Sequence, residues 1–470
     1  MNILLIYPRI SSQIVYGKIS EVGNFQMPLG IAYLGAFLRE KGFNVKILDA
    51  DVLQLSDAGV LKEVKKLKPA MIGFSSTTPT IKSTIRLAKK IKKQYMNIFI
   101  VVGGAHATAT KGEVVRETCF DLAVIGEGEL TMAEVARAVL VGKNPKSKKI
   151  KGIAFLKGKR LFRTKQRPLI SDINVLPFPA RDLMPPLSLY APTPASCKQI
   201  PVANLITSRG CPYHCVYCDR SIFGNQFRAR SPENIVAEIE QLITVYGAKE
   251  LKFWDDIINF DKQRLISLCK LMIEKKLVIP WTCIARVNHM DDEVLSWMKK
   301  AGCWQVAYGI ESGNNKVLEA IHKSQTIEMV RSIVEKTVKH GIEARGFFML
   351  GLPTDTEKTM QDTIDFAKSL PIKTPSFYIT TILPNTELWT LAFASGEARI
   401  QEWDAFSMVN PDHLTYIPKG LTEEILKKFQ KRAYRQFYLR PSYILQRLKS
   451  INSIEQVVWN LKGLKTVLNI

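Results

Sequence analysis

The chain has 470 residues, with 66 Lys and Arg against 43 Asp and Glu, a formal net charge of +23 and an apolar content of 46%. That length suits about three domains, and the charge calls for an anionic partner: nucleic acid, a phospholipid surface or an acidic substrate. No run of about eighteen apolar residues occurs, and the start Asn2-Ile3-Leu4-Leu5-Ile6-Tyr7-Pro8 lacks the basic opening of a signal peptide, so a cytoplasmic chain is expected; eight cysteines, five of them scattered, make no disulfide framework.

From 1 to 142, short apolar runs alternate with amphipathic ones. Ile3 to Tyr7, Val45 to Asp49, Met71 to Ser75, Ile98 to Val102 and Leu122 to Ile125 read as strands. Ile31 to Lys41, Val60 to Leu67, Ile81 to Lys92, Glu113 to Thr118 and Leu130 to Leu140 read as helices. Nearly continuous apolar strands imply a parallel sheet buried on both faces, hence an α/β, doubly wound five-stranded domain whose ligands bind beyond the strands' carboxyl ends. Small and polar residues gather there: Ser75, Ser76 and Thr77, then Gly103, Gly104 and His106, then Gly126, Glu127 and Gly128. Glycines at such an edge let a bulky ligand approach the backbone. The first turn, Tyr7-Pro8-Arg9-Ile10, has none of the glycines of a dinucleotide fingerprint. A sheet that binds nothing is the plain alternative.

Residues 143–200 are basic, then proline-rich, with a small hairpin expected around Gly158; they read as a strap fixing the first domain over the second. At 207–218 comes Thr-Ser-Arg-Gly-Cys-Pro-Tyr-His-Cys-Val-Tyr-Cys. Cys211, Cys215 and Cys218, at C-x3-C-x2-C spacing, can hold three irons of a 4Fe-4S cluster and leave the fourth open to a substrate. A zinc site using His214 is the competing reading, awkward because His214 adjoins Cys215 and no second cysteine pair lies nearby.

Alternation resumes over 201–415, with strands Asn204 to Ser208, Leu251 to Trp254, Trp281 to Val287, Gln305 to Ile310, Gly346 to Leu350 and Ser376 to Leu383, and helices between them. Six units make a partial (β/α)6 barrel with its chemistry at the strands' carboxyl ends. Asp255, Arg286, Glu311, Ser312 and Gly351 stand there. Cys283, Tyr308, Tyr378 and Thr380 face either the lumen or the packed core.

The cysteine spacing, Tyr217 before the third cysteine and the preceding apolar strand resemble the radical S-adenosylmethionine (radical SAM) enzymes, and the glycine-edged first sheet resembles the cobalamin-binding domain that precedes the barrel in one subclass. The resemblance implies that the cluster's open iron binds S-adenosylmethionine and cleaves it to a 5'-deoxyadenosyl radical. It implies roles for Asp255 at the methionyl amino group, Arg286, Glu311 and Ser312 at the carboxylate and ribose, and Tyr217 and Gly351 near the adenine. The loops with Ser75, Thr77, Gly103, Gly104, His106, Gly126, Glu127 and Gly128 would line cobalamin, without the lower axial histidine that other cobalamin domains carry after the first strand. Methylation of an unactivated carbon is the implied reaction, with cyclisation or oxidation of a tetrapyrrole or lipid as an alternative, and a cobalamin sensor with a vestigial barrel as a reading of another class. The implied electron donor is a flavodoxin or ferredoxin.

Residues 420–470 read as a basic amphipathic helical tail, Leu421 to Leu439 and Ile444 to Leu468, with ten Lys or Arg against three Glu and interleaved aromatics. A lid on the barrel, a peripheral contact at the inner membrane surface and a nucleic-acid contact all suit it. Nucleic acid is disfavoured, since methylthiotransferases of tRNA need three further N-terminal cysteines and the first domain has only Cys119. An apolar or amphiphilic small molecule or lipid is the expected substrate.

Overall fold

The structure, a computed structural model, describes residues 2–10, 25–190, 192, 196–400, 402–403, 406 and 413–449, without the side chains of 446–449. Its first sheet contains the five expected parallel strands, β1 (Asn2–Tyr7), β2 (Asn44–Asp49), β3 (Met71–Ser75), β4 (Phe99–Gly103) and β5 (Leu122–Val124), and two more. The strap's hairpin, β6 (Ile153–Lys157) and β7 (Arg160–Arg163), adds antiparallel strands, so the order is β2-β1-β3-β4-β5-β6-β7. Ile3, Leu4, Leu5 and Ile6 are at most 1% exposed, as a strand covered on both faces requires. Glu113–Arg116 is a single tight 3-10 turn rather than the expected helix, because Lys111 and Gly112 before it adopt positive φ (50° and 77°). A short helix, Ala105–Ala109, follows Gly104 instead.

The strap touches both domains. The Ala180 N–H donates to Ala32 O at 3.1 Å, the Tyr190 hydroxyl to Asp49 Oδ2 at 2.9 Å, and the Lys198 and Gln199 N–H groups to Glu250 Oε2 at 2.6 and 2.9 Å. Arg181 forms a buried ion pair with Glu238 at 2.7 Å.

The second sheet is six-stranded and wholly parallel, in the order β15-β14-β13-β12-β11-β8. Its strands are β8 (Val202–Leu205), β11 (Glu250–Phe253), β12 (Trp281–Ala285), β13 (Cys303–Glu311), β14 (Glu343–Leu350) and β15 (Ser376–Ile379); β9 (Ser208–Arg209) and β10 (Arg228–Ala229) form a separate two-stranded clasp. Helices 232–244, 262–274, 292–300, 327–339 and 357–369 cover the outer face, each opened by a Ser, Thr or Asp side chain accepting a backbone N–H, as Ser231 does from Asn234 at 3.2 Å. Strand parity settles two open residues. Cys283 lies with Cys269 and Cys303 under the helices, and the Tyr308 hydroxyl meets Thr337 Oγ1 at 2.8 Å, so both belong to the outer core. Tyr378 is half-buried on the lumen face, and the Thr380 hydroxyl donates to Leu350 O at 3.0 Å.

The tail's first helix, Glu423–Tyr438, packs on the barrel edge: Gln430 Nε2 donates to Phe377 O at 3.0 Å, and the Phe377 N–H to the Tyr434 hydroxyl at 3.3 Å. Of the expected second helix, Pro441–Lys449 is described, and the rest lies outside the described residues. Among the described residues no helix is long and apolar enough to cross a membrane.

Candidate functional site

The cysteines sit on the loop that β9 and β10 close. Arg209 pairs with Arg228 and Ser208 with Ala229, holding the loop's ends together. Gly210 has φ of 84°, and a Cβ there would lie 2.4 Å from Gln226 O, so only glycine lets the chain enter this loop. The far side is pinned by Val216 N–H to Ile321 O (3.2 Å) and Leu388 N–H to Val216 O (2.8 Å).

Cys215 is buried, Cys211 half-buried and Cys218 at the surface. Desolvation by neighbouring protein atoms, then the charges of Cys215, Asp256 and Cys211, hold the Cys218 thiol above its ordinary range although its rim is open to solvent, so the three sulfurs feel one another. Among the described residues no three His, Cys, Asp or Glu side chains converge on a single ion. Three thiols carried on one closed loop suit the corners of a multi-iron cluster; His214 faces Asn225 Nδ2 at 3.4 Å. Arg286, expected at a carboxylate, lies against the cysteines: Nη1 donates to Cys215 Sγ at 3.4 Å and the guanidinium stacks 3.7 Å from the Tyr213 ring centre. Its other nitrogens reach Lys323 O and, at 3.3 Å, Asn288 Oδ1.

A buried triad stands beside this loop. The Tyr217 hydroxyl donates to Glu311 Oε1 at 3.1 Å, and Lys323 Nζ contacts the same oxygen at 2.7 Å and the Tyr217 oxygen at 3.2 Å. Burial, then Glu311, holds the Tyr217 phenol well above its ordinary pKa. Gly309 makes room for the pair, since a Cβ there would lie 2.6 Å from Glu311 Oε1. Lys323 and Gln325, whose Nε2 donates to Gly309 O (3.2 Å) and Ile310 O (3.0 Å), were not singled out from the sequence; a lone Lys and a lone Gln in a loop carry no spacing signal.

Asp255 is 5% exposed and its Oδ1 accepts from Thr207 N–H (2.9 Å), Thr207 Oγ1 (2.8 Å) and Ser208 Oγ (2.6 Å), so its side chain braces the strand into the cysteine loop. Asp256 Oδ2 accepts from the Gly210 N–H at 3.0 Å. Ser312 turns away from the expected ribose: its hydroxyl meets Thr363 Oγ1 at 3.2 Å on the outer helix, because Gly313 lies flush against Phe366. Gly351, with φ of 73°, has its open side against Leu426 of the tail helix, 2.7 Å from where a Cβ would stand, so it seats the tail.

The first domain's loops are drawn together at one edge. The Ser76 N–H donates to Gly103 O at 3.0 Å and the His106 N–H to Ser76 O at 3.2 Å; Gly104, with φ of 92°, would bring a Cβ to 2.6 Å from Ser76 O. Thr77 and Thr80 form a capping box that shapes the loop after Ser75. His106 is 2% exposed, with Nδ1 3.2 Å from Thr78 Oγ1 and its ring edge-on to Trp403, and burial alone pushes its pKa down to about 4. Gly126, with φ of 82°, has nothing within 4 Å of where a Cβ would stand, and Gly103 only Val124, so the backbone at this edge has open space beside it. Glu127 was expected to line the cofactor. It is spent on protein instead: Arg209 (2.8 Å), Arg228 (2.9 Å) and the Ile170 N–H (2.8 Å) take both its oxygens, while Glu129 takes the other arm of Arg209 at 2.7 Å. Arg209 precedes Gly210 and Cys211, so the first sheet's carboxyl edge grips the root of the cysteine loop.

The chain matches the B12 binding domain family over residues 18–136 and the radical SAM superfamily over 205–367. It is 35% identical to an uncharacterised methyltransferase of Pyrococcus horikoshii over 95% of this chain and 94% of that one. It is 26% identical to the anaerobic magnesium-protoporphyrin IX monomethyl ester cyclase of Rubrivivax gelatinosus over 94% of this chain and 78% of the other. Its fold is shared with the radical S-adenosylmethionine methyltransferase TsrM of Kitasatospora setae, solved with cobalamin and a 4Fe-4S cluster, at a TM-score of 0.72 and 15% identity over 94% of this chain and 89% of that one.

Proposed function

Since this chain belongs to the radical SAM enzymes that carry a cobalamin-binding domain, with a 4Fe-4S cluster, S-adenosylmethionine and cobalamin as its cofactors, we propose that it methylates an unactivated carbon of an amphiphilic small molecule. The observation that carries this reading is the grip of Glu127 and Glu129, at the end of the Gly126 loop, on Arg209, which precedes the cysteine loop, so that the two candidate cofactor edges are tied to each other. Methyl transfer to carbon needs the methyl source and the radical source on the same substrate atom, and rigid placement of both is the cheapest way to lower that barrier.

When bound, the cluster supplies the electron that cleaves S-adenosylmethionine and cobalamin carries the methyl group. Cys211, Cys215 and Cys218 would hold the cluster, and Arg286 sets a fixed positive charge against the Cys215 sulfur. Glu311 and Lys323 neutralise each other beside Tyr217, so an approaching nucleoside meets hydrogen-bonding groups without net charge. His106, neutral above about pH 4, offers no cation at this edge. A flavodoxin- or ferredoxin-like donor would reach the loop where Cys218 is exposed, and the basic tail would bring the enzyme to an anionic membrane surface.

The test is product stoichiometry with anaerobically reconstituted protein, reductant, methyl-labelled S-adenosylmethionine and candidate substrates. Methylation yields one 5'-deoxyadenosine and one S-adenosylhomocysteine per labelled product. Release of 5'-deoxyadenosine without S-adenosylhomocysteine would move the assignment to the cyclase side, which the Rubrivivax relative favours; release of neither, from protein with a full cluster, would sink the enzyme reading.

A further inference from the structure

The lumen of the barrel holds donors with nothing to donate to. In register, Lys252 of β11 stands beside Thr282 of β12, Gln305 of β13 and Glu343 of β14; one pleat further along, Ala307 stands beside Arg345. Neighbours in a parallel register point to the same face, and the opposite parity is the outer core of Cys283 and Phe253, so Lys252, Thr282 and Arg345 face inward. Trp254, two residues past Lys252, continues this face, and the Lys252 ammonium lies 5.0 Å from its ring centre.

Three of these groups have buried polar atoms without a partner: Thr282 Oγ1, Trp254 Nε1 and Arg345 Nε. Thr282 is 4% exposed. Buried donors left unpaired cost stability, and a native fold keeps a set of them on one face where something else completes them. Neither cation makes an ion pair with a carboxylate among the described residues, although the charge of Glu250, two residues before Lys252 on the same strand, reaches its ammonium. Glu343 is taken by Gln305 Nε2 (3.0 Å) and Lys373 (3.3 Å), and Glu250 by the strap and Trp304 Nε1 (3.0 Å). Arg345 keeps one bond, from Nη2 to Ser376 Oγ at 3.1 Å. Desolvation, then Arg345, lowers the Lys252 ammonium to about 8, which places the two cations across a common space.

We propose that Lys252, Trp254, Thr282 and Arg345 form an oxyanion subsite inside the barrel, which holds a carboxylate or phosphate of the substrate. An indole N–H, a guanidinium N–H, a hydroxyl and an ammonium are four donors and no obligatory acceptor, the complement of an oxyanion. The subsite deepens the proposed function and rests on it. Arg345 lies one pleat, about 7 Å, below the strand-end level of Gly309 and Phe347, so the substrate's head would be anchored beneath a carbon presented at the cysteine loop.

The test is calorimetric titration of the reconstituted full chain, S-adenosylmethionine saturating so that its own carboxylate site is filled, with inorganic phosphate in one arm and hexanoate in the other. Binding in either arm is expected, weakened at least tenfold by Lys252→Gln and by Arg345→Gln; phosphate alone assigns a phosphorylated substrate and hexanoate alone a carboxylic acid. Thr282→Val keeps the shape while removing the unpartnered hydroxyl. It should raise the melting temperature of the ligand-free chain yet weaken anion binding about fivefold, opposite signs that a purely structural threonine would not give. Binding in neither arm, or binding that none of the three variants changes, overturns the subsite. Release of 5'-deoxyadenosine by the same wild-type preparation keeps the two readings apart: without it the proposed function fails, and with it but no anion binding the subsite alone fails.

Discussion

The two parallel sheets end in edges of opposite character. At the first, Gly103, Gly104 and Gly126 keep side chains off the loops, His106 beside them is buried and neutral, and Glu127 is turned onto Arg209 and Arg228. At the second, Asp255, Asp256, Arg286, Glu311 and Lys323 are each committed to named partners before any ligand arrives. Open backbone suits a large, rigid ligand that brings its own hydrogen-bonding groups; a polar network already held in place, with the buried Asp255 Oδ2 left over, suits a small charged one whose position must be fixed closely.

The sharpest way to break the contrast is at the second edge. Cys211→Ala, Cys215→Ala or Cys218→Ala should each abolish the ~400 nm absorption shoulder of a thiolate-ligated cluster and all 5'-deoxyadenosine release, while cobalamin still binds the first domain. A variant of any of the three that keeps a full cluster would remove that cysteine from the set.

Next in size is the link between the edges. Arg209→Met leaves Glu129 buried without its cation and Glu127 with Arg228 and the Ile170 N–H, a loss of about 3–5 kcal/mol, measurable by urea unfolding. If the link aligns the two edges, transfer of labelled methyl falls further than 5'-deoxyadenosine release; equal falls would reduce Arg209 to a structural tie.

The first edge is tested by pH. The His106 pKa is about 4 in the folded chain against 6.5 for a free imidazole, so the folded state binds the proton less readily than the unfolded one. The resulting stability, about 3 kcal/mol at neutral pH, is lost as pH falls from about 6.5 through 4. Chemical denaturation of His106→Phe across that window should show a flatter profile than wild type. Smallest in stability is Gly126→Ala: left-handed backbone costs about 1 kcal/mol in alanine, yet the added methyl projects into the open space beside the loop, so cobalamin affinity should drop in a chain that still folds. Unchanged affinity would take Gly126 out of the cobalamin contact.

How much of this was legible follows from what each signal measures. Strand alternation gave all eleven parallel strands, because burial on two faces leaves an apolar run that few other structures imitate. Cysteine spacing picked out the loop for the same reason, since ligation fixes intervals. Partnerships between distant residues leave no interval. Glu127 and Arg209 are 82 positions apart, and a glutamate among glycines looks the same whether it faces a ligand or a guanidinium. Ser312 and Gly351 stand at strand ends, as expected, but nothing in the sequence shows that Thr363 and Leu426 approach them. The hairpin at Gly158 was visible, its attachment to β5 was not, because an antiparallel addition at a sheet edge depends on a neighbour's unpaired backbone.

That attachment changes what the molecule shows to other molecules. Without it, the first sheet would end at β5, three residues long and apolar on both faces, with a row of free backbone groups open to another chain. The edge is now β7, whose Arg160 and Arg163 are exposed, with Lys157 and Lys159 at the adjoining turn. Arg163 is paired with Glu113, but Arg160 and the two lysines leave the outer edge positively charged, which disfavours strand-to-strand pairing with another copy.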